Sequence, residues 1–166
     1  MSGVPESRAA ASKHSLLGAA RSWFPVVAWM AVVFILSTSL FSPARTGAVV
    51  EPLVRWLAPA IPGHALDVAH GLVRKAAHFF VYGVLFYLLM RGPLPGREGH
   101  ALLVCVVVAL LDEGHQRFVP DRLGSLYDIA LNITGALFAR FSYAAVNEVR
   151  LDRVPPLPDM ERIAPN

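Results

Sequence analysis

The sequence predicts an all-α protein, a bundle of four transmembrane helices, and three observations carry that expectation. Charged residues make up only 16% of the 166 residues, against 55% hydrophobic, whereas soluble domains carry about 25% charged residues. The apolar residues gather into four runs close to the ~20 residues that a spanning helix needs. Polar and ionisable residues recur in or beside three of those runs at helical spacing. Such groups are costly in hydrocarbon, by about 2.5–3.5 kcal/mol each on insertion scales, and so are usually paired, inward-facing and functional.

In chain order, residues 1–22 form an N-terminal segment and 23–145 the membrane domain, followed by a tail at 146–166. The first apolar run is Trp23–Phe41. Arg8, Lys13 and Arg21 precede it and Ser42-Pro43-Ala44 follows, a weak match to a cleaved signal peptide. The run exceeds the 7–15 residues of a signal's apolar region, and a Pro lies within the cleavage triplet, so a retained first helix is expected. The second run is Val73–Met90. The third is His100–Asp112, which reaches spanning length when extended through Gln116. The fourth is Leu126–Ala145.

The stretch 42–72 is the longest connection and holds Pro43, Pro52, Pro59 and Pro62, which argue against one continuous helix. Within it, Val49, Leu53, Trp56 and Leu57 repeat at helical spacing. The alternatives are a short helix lying in the membrane interface and a loop packed on the bundle. The Pro-rich stretch after Val154 reads as disordered.

Lys and Arg placement sets the orientation. With four spans, one side holds Arg8, Lys13, Arg21, Arg91, Arg97, Arg140, Arg150, Arg153 and Arg162, nine in all; the other holds six. Both termini are therefore expected in the cytoplasm, with the chain in a bacterial inner membrane. The net charge of +3 and pI near 9.4 need no nucleic acid, since no basic stripe with interleaved aromatics occurs. The one cysteine, Cys105, excludes a disulfide framework.

Three polar clusters then arrive at the external face. Lys75, His78 and Tyr82 fall within about 60° on the second span, and Ser125, Asp128, Asn132 and Gly135 within about 80° on the fourth. Asp112, Glu113 and Gln116 close the third span, where two carboxylates oppose the helix dipole unless something compensates. Lys75 and Arg122 are the candidate compensating cations and the candidate anion binders, Arg being suited to phosphate or carboxylate. His78 and Glu113 form the candidate acid–base pair. Tyr82, Asp112, Gln116, Ser125, Asp128 and Asn132 are candidate supports, with an N-cap the favoured role for Ser125. His115 beside Glu113 matches no metal spacing, so neither a metal nor a cofactor is expected.

The run Lys75-Ala76-Ala77-His78-Phe79-Phe80-Val81-Tyr82-Gly83-Val84-Leu85 resembles the first signature of the VanZ-like membrane proteins, K-x-x-H-F-x-x-Y-x-x-L. Asp112, Glu113, Gln116, Phe118, Pro120, Arg122, Ser125, Asp128, Asn132 and Gly135 resemble the second. Asp121 stands where members often have Gly. The resemblance implies a membrane bundle with a polar site; the name-giving member is associated with resistance to teicoplanin-type antibiotics, a family association only. The expected function is recognition of an anionic cell-envelope lipid or lipid-linked precursor, with acid–base chemistry at a phosphate or glycosyl linkage. The alternative is a non-catalytic accessory protein whose polar network is structural.

Overall fold

A computed structural model describes residues 4–120 and 124–152, with side chains described over 17–42, 45–120 and 124–148. Five α-helices follow one another: α1 (Val4–Leu36), α2 (Pro43–Leu57), α3 (Gly63–Arg91), α4 (Glu98–Gln116) and α5 (Leu126–Asp152), with a short 3-10 turn at Ser39–Phe41. Among the described residues there is no strand. Among the described residues, three helical stretches are long and apolar enough to cross a membrane: Leu17–Leu36, Gly63–Arg91 and Leu126–Glu148. α4 falls outside that set, so length and composition support three of the four expected spans. Its ends carry the difference, with Glu98 opening the helix and Asp112, Glu113 and Gln116 closing it.

The apolar surface is turned outward. Val27, Ile35, Phe80, Leu103, Leu110, Phe138 and Phe141 are exposed, while Asp112, Glu113, Gln116 and Asn132 are buried. Polar groups buried beneath an apolar exterior are the distribution a bilayer favours, because lipid leaves no penalty on exposed apolar groups and a large one on exposed polar groups.

α3 is the central element and touches every other helix, α5 most extensively. It contributes Tyr82, Leu85, Phe86, Leu89 and Met90 to a core completed by Val26 and Val33 of α1, by Ala101, Cys105, Val108 and Ala109 of α4, and by Ala136 of α5. α3 and α5 meet at glycine. A Cβ on Gly135 would collide with the Phe79 carbonyl, and one on Gly83 would lie 3.4 Å from the Gly135 carbonyl oxygen. Small residues let helix backbones approach this closely. Trp29 Nε1 donates to the Val81 carbonyl at 2.9 Å and fastens α1 to α3.

The element boundaries depart from the sequence expectation in four places. The first helix ends at Leu36 rather than Phe41, because Ser37-Thr38-Ser39 turns the chain. Thr38 Oγ1 bonds back to the Ile35 carbonyl at 2.7 Å, and Ser37 turns inward. The same helix starts at Val4, so the N-terminal segment runs into the first helix without a break. The second span starts at Gly63 rather than Val73, and the break before it is confined to 58–62, where Pro59 and Pro62 lie. α5 continues through 146–152, residues assigned to the tail; the remainder of the tail lies outside the described residues.

The first connection contains a helix, α2, as the first of the two alternatives for it requires. Ser42 Oγ accepts from the Arg45 amide at its start, and Pro43 sits at the first helical position, where its missing N–H costs nothing. Val49, Leu53, Trp56 and Leu57 are all exposed along it. α2 is held to α3 by a Thr46 Oγ1–His70 Nε2 hydrogen bond of 2.9 Å.

Candidate functional site

α3, α4 and α5 bring their polar groups to one place. His78 Nδ1 lies 3.0 Å from Asn132 Oδ1 and 3.9 Å from Glu113 Oε1, so one imidazole links the other two helices. Lys75 Nζ lies 3.9 Å from Asp128 Oδ1 and 4.0 Å from the centre of the Tyr127 ring. Exposure falls along the α3 stripe, from a Lys75 side chain 47% exposed, through His78 at 15%, to a buried Tyr82. Because α3 begins at Gly63, Lys75 sits three turns inside the helix and not at its outer end, which recesses the site beneath the first turns of α3 and the attached α2.

The end of α4 explains how two adjacent carboxylates are tolerated. Glu113 Oε2 accepts from the Ser125 backbone N–H at 2.9 Å. That amide lies at the N-terminus of α5, so the positive end of one helix dipole meets the carboxylate that opposes the other. Gly124 makes this approach feasible, since a Cβ there would collide with the Glu113 carbonyl. Ser125 itself is the N-cap, its Oγ accepting from the Tyr127 amide at 3.1 Å. Gln116 Nε2 points among Ser37 Oγ at 3.2 Å, Asp112 Oδ2 at 3.4 Å and Glu113 Oε1 at 3.4 Å.

Of the two candidate compensating cations, the structure describes Lys75. Lys75 pairs with Asp128 rather than with the α4 carboxylates. Arg122 lies outside the described residues. His115 is exposed on the opposite side of α4, edge-on to Phe34 with ring centres 6.3 Å apart, away from Glu113's neighbours. Among the described residues, one set of three groups is close enough to share an ion: His78, Glu113 and Asp128 each offer a donor atom, all within 4.8 Å of one another.

Two participants escaped the sequence reading. Ser37 of the segment after α1 is buried; its hydroxyl donates to Asp112 Oδ1 and accepts from Gln116. Nothing in the sequence marks it, because the contact joins the first helix to the third apolar run across the bundle. Arg74 lines a cleft of about 230 Å³ together with Val33, Val50, Val81, His78 and Asp112. Ser37→Ala is expected to destabilise the protein by about 1–3 kcal/mol, since it strips buried Asp112 and Gln116 of a shared partner. Thermal unfolding in detergent measures this; an unchanged melting temperature would remove Ser37 from the network.

A family model described as VanZ/LLP1 matches residues 22–147. The match takes in the whole of α3 and α4 and every site residue named above. Comparison with curated proteins and with solved structures found no match.

Proposed function

The chain belongs to the VanZ/LLP1 family, and from that premise we propose that it is a multi-pass protein of the bacterial inner membrane that recognises an anionic cell-envelope lipid or lipid-linked precursor. α4 serves as the fourth span in this reading. Its 19 residues extend about 28 Å at 1.5 Å per residue, close to the ~30 Å of a hydrocarbon core, and Leu103, Val107, Leu110 and Leu111 are exposed along it. Both termini lie in the cytoplasm, following the cation count, which puts the polar site toward the external face.

The observation that carries the reading is the cleft of about 230 Å³, walled by Val33, Val50, Val73 and Val81 and lined also by Arg74, His78 and Asp112. Apolar walls suit an acyl or prenyl chain, and the Arg74 guanidinium suits a phosphate-bearing headgroup. Lys75, 3.9 Å from Asp128 Oδ1, adds a cation beside the cluster. His78 and Glu113 are the pair through which proton transfer to or from a bound headgroup would run, the imidazole being held in place by Asn132.

A bound ligand stabilises the folded state by mass action, about 2.7 kcal/mol at a hundred times its Kd. Phosphatidylglycerol added to the detergent-purified protein is therefore expected to raise the melting temperature by several degrees more than phosphatidylcholine. Lys75→Met or Arg74→Gln should remove most of that difference. Equal shifts from the two lipids would count against anionic recognition and favour the second reading, an accessory protein with a structural polar network. The deep burial of Asp112, Glu113 and Gln116 is the observation on that side.

A further inference from the structure

We propose that His78, Glu113 and Asp128 form a binding site for a divalent first-row transition-metal ion. Their donor atoms, within 4.8 Å of one another, come from three helices, α3, α4 and α5, so no sequence spacing announces the site. Groups bound at about 2.0–2.2 Å to a common ion are roughly 3–4.4 Å apart. The 3.9 Å between His78 Nδ1 and Glu113 Oε1 already lies in that range, and small side-chain movements bring in Asp128.

One donor is already positioned by a neighbour: the Ser125 amide fixes Glu113, as ligating carboxylates are ordinarily held by outer partners. His78 Nδ1 would exchange its hydrogen bond to Asn132 Oδ1 for the ion. Asn132 is fully buried, and its Nδ2 has no hydrogen-bond partner among the described residues. Tyr82, one turn beyond His78 on the same stripe, is equally buried with an unpartnered hydroxyl. A buried polar group without a partner is costly. Water or hydroxide in the coordination shell of an ion bound beside His78 is a partner for the amide.

The donor set decides the class of ion. One imidazole with two carboxylates suits Mn²⁺, Fe²⁺ or Zn²⁺, whereas Ca²⁺ and Mg²⁺ favour oxygen alone. The ion competes with Lys75 for Asp128, and once bound it leaves the lysine against Tyr127 and available to an anion. The site thereby deepens the lipid reading, on which its biological role rests: the ion and Lys75 would hold one phosphate between them.

The test uses untagged full-length protein in neutral detergent, stripped with chelator and titrated with Zn²⁺ alone by calorimetry and with Mn²⁺ alone by electron paramagnetic resonance. One ion per chain is expected with micromolar or tighter affinity for at least one of the two metals. Asp128→Asn and His78→Ala should each weaken it at least tenfold, and His115→Ala should leave it unchanged. Lys75→Met should tighten it several-fold by removing a like charge. Asp128→Asn is nearly isosteric and only partly buried, so it keeps the test valid if His78→Ala fails to fold. Absence of saturable binding by both metals, or binding indifferent to Asp128→Asn, overturns the site. No lipid is present in this titration, so its failure leaves the lipid-dependent melting shift standing, and the reverse holds as well.

Discussion

Gly135→Ala is expected to lower the stability of this protein more than any other single-methyl addition in its membrane core. The added carbon would collide with the Phe79 carbonyl at the crossing of α3 and α5, the most extensive helix pair in the structure. Backbone cannot swing aside as a flexible side chain can, so the helices must separate. Overpacking of this kind costs about 1–3 kcal/mol and occasionally more. Separation also carries His78 and Lys75 away from Asn132 and Asp128, so ligand and site are lost together. Gly71→Ala is the control with the opposite sign. Nothing lies within 4 Å of its new Cβ, and an alanine in a helix is expected to gain about 0.4–1 kcal/mol. Melting temperatures of the two variants in the same detergent check both directions, and a Gly135→Ala protein as stable as the parent would contradict the close α3–α5 contact.

Glu113→Ala is the second large effect. The carboxylate is buried and joins the end of α4 to the Ser125 amide that opens α5, while also facing Gln116 and His78. Deleting it leaves a helix-terminal N–H without its acceptor and opens a cavity, at a cost of about 3 kcal/mol or more. Glu113→Gln retains an oxygen for the Ser125 amide and should lose less than half as much, while placing an amide donor where Gln116 now donates. Thermal unfolding of the pair of variants separates the roles of shape and charge. Equal, small losses below about 0.5 kcal/mol, within the range of ordinary surface substitutions, would show that the α4–α5 link is not a stabilising contact.

How much of this was legible in advance depended on whether a contact is written along one helix or across several. The stripe Lys75, His78, Tyr82 and the arc Ser125, Asp128, Asn132, Gly135 follow from the 3.6-residue period, and the structure places each set on its helix as that period requires. Gly135 as a point of close backbone approach, and Ser125 as a cap, were readable for the same reason: each role depends on local geometry. The early start of α3 was not. His64, Asp67 and His70 interrupt the apolar run at 63–72, and hydropathy reports where a segment becomes apolar rather than where a helix begins. Pairings between helices were the least legible. The sequence offered Lys75 three carboxylates, Asp112, Glu113 and Asp128, and only the helix arrangement singles out Asp128. Ser37 joined the network with no advance signal, since a single serine after an apolar run looks like any helix terminator. The metal-capable trio was hidden for a similar reason, its donors lying on three helices.

A recessed polar site that holds an anionic lipid should keep it through gentle purification. Native mass spectrometry of the protein purified from its membrane in mild detergent tests this most directly, because a retained ligand is identified by its mass. A lipid adduct enriched in anionic species relative to the membrane extract is expected, diminished in Lys75→Met and in His78→Ala while Gly71→Ala keeps it. Adducts with the composition of the bulk membrane, undiminished in a folded Lys75→Met protein, would contradict anionic-lipid binding at this site.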